Sequence, residues 1–62
     1  MTREEAERVA ARLVTVERSP EDDLYAIVRV AGVAVSSHLG EHAERWAEPW
    51  REAIVRMLTE ES

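Results

Sequence analysis

The segment that most narrows the fold is Leu24-Tyr25-Ala26-Ile27-Val28-Arg29-Val30, followed after only Ala31-Gly32 by Val33-Ala34-Val35-Ser36-Ser37. Two runs rich in β-branched residues, joined by two residues of which the second is glycine, read as an antiparallel hairpin. Gly32 can take the positive φ that such a turn demands. Pairing Val30 with Val33 across the turn sets Val28 beside Val35. Side chains alternate along a strand, so one face is expected to carry Leu24, Ala26, Val28, Val30, Val33 and Val35. The other carries Tyr25, Ile27, Arg29, Ala34 and Ser36, and the first, more apolar set is the expected core face.

The flanks supply the remaining elements. Thr2 and Glu5 have capping-box spacing, Glu4, Glu5 and Glu7 lie in the first turns, and Ala6, Val9, Ala10 and Leu13 recur at helical intervals, which predicts a helix over Thr2–Arg12. From Leu13 the chain turns β-branched, so a strand over Leu13–Arg18 is favoured over further helix. Ser19-Pro20-Glu21-Asp22-Asp23 is an acidic turn. Beyond Gly40, Leu39, Ala43, Trp46, Trp50, Ile54 and Met57 share one helical stripe, flanked by Ala47, Ala53 and Leu58. Pro49 kinks or breaks this helix; because the stripe keeps its phase across it, one kinked helix is favoured. Glu60-Glu61-Ser62 is expected to fray. The order is α-β-β-β-α: a single α+β domain over residues 1–62, with a three-stranded antiparallel meander and both helices on one face.

A 62-residue chain buries only about 60% of its unfolded surface and is marginal without a staple. Cysteine is absent, which removes disulfides, thiolate metal sites and a thiol nucleophile. Phenylalanine is absent too, so Trp46 and Trp50 are the expected source of core volume, with self-association as the other staple. The net charge of -5 argues against direct nucleic-acid binding and favours encounter with basic surfaces. All eight basic residues are arginine, a mark of GC-rich coding rather than of function. The charged start lacks the apolar run of a signal peptide and no segment is apolar enough to span a membrane, so a cytoplasmic location is expected.

Several constellations bear on chemistry. His38 and His42, four residues apart with Glu41 and Glu44 near, are weak candidates for a metal site; Gly40 between them argues for two surface histidines. Ser36 and Ser37 beside His38 suggest a nucleophile and base, but neighbours in a strand point to opposite faces. Carboxylate catalysis needs a cleft that lifts one pKa, and so short a chain has little room for one. No catalytic residue, cofactor or metal is therefore assigned. Tyr25, Ile27 and Arg29 on the open sheet face have the composition of an interface, and Trp46 or Trp50 is a candidate anchor at the rim of the core. The clusters Glu4/Glu5/Glu7, Glu21/Asp22/Asp23 and Glu41/Glu44/Glu48/Glu52 invite comparison with a phosphate backbone. The plainer account is solvated helix faces with pairs such as Glu41–Arg45, Glu48–Arg51 and Glu52–Arg56.

The element order, the Val30-Ala31-Gly32-Val33 turn and the long last helix resemble the double-stranded RNA-binding domain. That resemblance is topological. The family's lysine cluster would fall near Gly40–Ala43, where this chain has Gly-Glu-His-Ala, so RNA binding is not carried over. Small acidic α+β chains without cysteine also resemble phage-encoded inhibitors of host defence, including anti-CRISPR proteins. Together these features lead to a non-catalytic, inhibitor-like interaction module that binds a protein partner, its contacts drawn from Tyr25, Ile27, Arg29, Glu21, Asp22, Asp23, Trp46 and Trp50. The alternatives are a homo-oligomeric module, paired through the open face or the edge of Leu13–Arg18, and a metal-binding or RNA-related domain built on His38 and His42.

Overall fold

The computed structural model describes residues 1–60. Thr2 caps helix α1 (Arg3–Leu13): its Oγ1 accepts the Glu5 N–H at 3.2 Å and donates to Glu5 Oε1 at 2.9 Å. The helix passes without a loop into strand β1 (Val14–Arg18). Val14 takes extended angles while its N–H still bonds the Ala10 carbonyl, so the β-branched run ends the helix one residue later than the sequence suggests. Ser19 and Asp22 then organise the turn. Ser19 Oγ accepts the Glu21 N–H at 3.3 Å, and Asp22 Oδ1 accepts the Leu24 N–H at 2.9 Å.

Strands β2 (Tyr25–Val30) and β3 (Val33–Leu39) complete an antiparallel meander in the order β1-β2-β3. Ala31 and Gly32 both have positive φ, 52° and 83°, which is the two-residue hairpin geometry whose twist matches that of the strands. Val14, Val16 and Arg18 of β1 face Val30, Val28 and Ala26 of β2. On the other side Val30 pairs with Val33, as expected, but Val28 pairs with Ser36 and not with Val35. A β-bulge intervenes: Val35 has no partner, and the register shifts by one between Val28 and Arg29.

The expected core face needs three corrections. Val35 is the bulge residue and is exposed; Val33, at the hairpin end, is 63% exposed; Leu24 belongs to the turn and is 69% exposed. Ser36, assigned to the outer face, shares the register position of buried Val28 and is half-buried, while Ser37 stands opposite Ile27. One inserted residue is enough to exchange the faces of everything beyond it, because the side-chain period of a strand is two.

Helix α2 (Gly40–Glu60) starts where β3 ends, with the Gly40 N–H bonded to the Leu24 carbonyl at 2.8 Å. Leu39, expected in the helical stripe, is the last residue of β3. Pro49 lies inside the helix, which runs on as one element to Glu60. Proline withholds the N–H that would bond the Arg45 carbonyl. Both residues are exposed, so water can take the vacant place. The expected fraying of Glu61 and Ser62 lies outside the described residues; Glu60 ends α2.

Both helices lie on one face of the sheet: α2 crosses all three strands, and α1 packs on α2 and β1. The core consists of Ala6, Ala10, Val14, Ala26, Val28, Ala43, Ala47, Ile54 and Val55. Among the described residues the largest fully buried side chains are two valines, Val14 and Val28. The expectation that the tryptophans fill the core is overturned. Trp46 is 54% exposed and Trp50 42%. Five buried alanines, Ala6, Ala10, Ala26, Ala43 and Ala47, fill the space between the elements instead, and the close approach they allow leaves no gap that an indole could enter.

Candidate functional site: an exposed aromatic stripe on α2

Advancing 100° per residue, Ala43, Ala47 and Ile54 point into the core. Trp46, Trp50, Ala53 and Met57 lie roughly 60° further round the helix. Their intervals are four, three and four, the spacing of a helix–helix seam. Three of the four are large and apolar, and Met57 is 58% exposed. The stripe belongs to the β3 side of α2. There the Trp46 indole stacks on the His38 imidazole of β3, ring centroids 4.7 Å apart and planes 2° from parallel. This contact holds one indole flat above the edge strand while its remaining surface meets solvent.

The opposite flank of α2 is closed. Arg51 reaches from it to the Val14 carbonyl of β1, Nη2 to O 3.4 Å, and pairs with Glu44 and, at 3.5 Å, with Glu48. The hydrogen bond that Arg51 donates to Glu44 and the two carboxylate charges raise the Arg51 pKa above its ordinary value, against a smaller opposing effect of burial. Residues of α1, among them Arg3, Glu7 and Ala10, line the groove shared with Glu48, Arg51, Glu52 and Val55. The expected Glu48–Arg51 pair is therefore formed, whereas Glu41 lies beside His42, Nε2 to Oε1 3.5 Å.

The outer sheet face holds the other expected contact residues. Tyr25 pairs in register with Leu39, and both are exposed. Ile27 is half-buried, since Ser19, Pro20 and Glu21 line the same shallow depression with Ala34 and Val35. Arg29 is held down by Glu17, Nε to Oε2 3.0 Å, and by the Gly32 carbonyl at 3.4 Å. Glu21, Asp22 and Asp23 are exposed in the turn. Tyr25, Ile27 and Arg29 thus share a face, and Trp46 and Trp50 share another.

The two histidines are not placed as a helical pair. His38 is in β3, half-buried under Trp46, and its Nε2 has no hydrogen-bond partner among the described residues. His42 is exposed in the first turn of α2. Among the described residues no three His, Cys, Asp or Glu side chains gather closely enough to hold a metal ion. No helix among them is long and apolar enough to cross a membrane. The sequence puts Met57 in one stripe with Trp46 and Trp50, and Ala53 at its flank, but as core positions and not as contact residues. The signal was present: the apolar stripe is too wide for one buried face, and its edge has seam spacing. No family model, curated protein or solved structure matches the chain.

Proposed function

We propose that this chain is a non-catalytic protein-interaction module whose contact surface is the α2 stripe of Trp46, Trp50 and Met57. The observation that carries the reading is that both indoles stand outside a core built without them. Tryptophan is the residue most enriched at binding hot spots, and leaving it in water forgoes about 1.5–3 kcal/mol of burial per large side chain. A partner that covers the stripe recovers that free energy. The net charge of -5 keeps so apolar a surface soluble and steers it towards basic or neutral partners.

The test compares immobilised wild type with Trp50→Glu and Ile27→Asp in capture from source-cell extract, read by mass spectrometry. A protein held by wild type and Ile27→Asp but lost with Trp50→Glu is the expected result. Capture lost with Ile27→Asp alone moves the contact to the outer sheet face. Indoles shielded from acrylamide in the dilute free chain remove the surface, and the reading with it.

A further inference from the structure

The partner can be specified further, and this step rests on the reading above. Three features converge on a second copy of the chain. The first is area. A compact 7.1 kDa monomer is expected to expose about 4,100 Å², and this chain exposes 4709 Å². Its radius of gyration is 12.5 Å, with extents of 41 × 18 × 15 Å, against about 10.5 Å for a compact chain of its length. The surplus of about 600 Å² approaches the ~800 Å² that each partner gives to a standard interface. A core whose largest fully buried side chains are valines makes that additional burial matter.

The second feature is the arrangement of layers. Helix α1 covers the β1 flank of α2, whereas nothing among the described residues covers the β3 flank. The third is the sheet edge. Strand β1 carries Glu17 and Arg18, charges of the kind that discourage edge pairing. Strand β3, Val33–Leu39, is the longest of the three and carries no carboxylate, guanidinium or proline; its bulge at Val35 leaves Ser36–Leu39 as a regular open edge. The apolar stripe and the regular Ser36–Leu39 edge are on the same side of the molecule, joined by the Trp46–His38 stack.

We infer that two copies associate about a two-fold axis, their α2 helices antiparallel along Trp46, Trp50, Ala53 and Met57 and their β3 edges facing one another beneath. With the axis between Trp50 and Ala53, Trp50 meets the partner's Ala53 and Trp46 meets the partner's Met57. Each indole thus finds a small or a pliable neighbour, as a self-complementary interface requires. This places the contact away from the Leu13–Arg18 edge and the outer sheet face that the sequence nominated for self-association.

Sedimentation equilibrium of the 62-residue chain, from low micromolar to hundreds of micromolar, decides the matter. The expected mass is twice that of the chain, with Trp50→Glu and Met57→Glu each weakening association by about a hundredfold or more. Circular dichroism of those variants should keep the helical and strand signal of the wild type at matched concentration. Tyr25→Asp, on the outer face, should leave the dimer intact. Acrylamide quenching of tryptophan should rise as the wild type is diluted through its dissociation range. A single-chain mass throughout overturns the homodimer. If the indoles are freely quenched in that monomer, the stripe remains open to a different protein; if they are shielded, the interaction reading fails as well. A dimer that survives Trp50→Glu but not Tyr25→Asp also overturns the proposed interface.

Discussion

The two flanks of α2 are built on opposite rules. Towards α1 and β1 the helix presents Ala47, Val55 and the anchored Arg51, and its apolar residues there are small and buried. Towards β3 it presents Trp46, Trp50 and Met57, three large apolar side chains about half in water. A self-sufficient domain of this size would put its biggest apolar groups inside, where each displaces the most water. Here tight helix–helix approach is obtained with alanine, and the bulky residues are left to the open side. The two flanks therefore differ in kind: one holds the chain together, and the other is the surface proposed above for association.

That contrast can be broken most directly by size changes. Ala47 is fully buried, so Ala47→Leu should cost about 1–3 kcal/mol by forcing α1 and the sheet apart. Thermal melts should fall by about 4–8 °C for each kcal/mol in a domain of this size. Trp50→Ala, a much larger change in volume, should cost the dilute chain less than Ala47→Leu. A reversed order in urea titrations would show that the stripe is packed against its own fold.

Arg51→Met sharpens the account of the closed flank. It deletes the ion pairs to Glu44 and Glu48 and the bond to the Val14 carbonyl, with an expected loss of about 1–2 kcal/mol. The fold raises this guanidinium's pKa, so its contribution is complete below the ordinary arginine value and is lost only as pH climbs through the raised one. The deficit should accordingly be the same at about pH 7 and pH 9. A deficit that shrinks between those two values would contradict this assignment.

The smallest effect lies at the hairpin. Ala31 holds a φ of 52°, which costs a residue with a Cβ and suits asparagine. Ala31→Asn should stabilise the chain by about 0.5–1 kcal/mol, visible as a raised urea midpoint at unchanged slope. No gain would mean that the turn does not bear the strain its angles imply.

Much of the fold was legible because local chemistry decides it. The Thr2–Glu5 cap, the β-branched run after Leu13, the Ala31-Gly32 turn and the helical phase of 43–58 each act over a few residues, and each fell within a residue or two of its expected place. The outer-face residues Tyr25, Ile27 and Arg29 were likewise recoverable, since they lie on β2, whose own alternation the bulge in β3 does not interrupt. What failed was nonlocal. The bulge at Val35 depends on how β3 fits both the sheet and the start of α2, and no residue type there announces it.

The sequence by itself determined the order α-β-β-β-α and the apolar positions available to a core, because dihedral preference and periodicity are properties of neighbouring residues. Which of those positions enter the core was decided only in three dimensions. Ala43 and Trp46 belong to one broad apolar surface in the sequence, and separating them required the distance at which α1 and the sheet come to rest against α2. Alanines set that distance short, and at that separation an indole has no room inside.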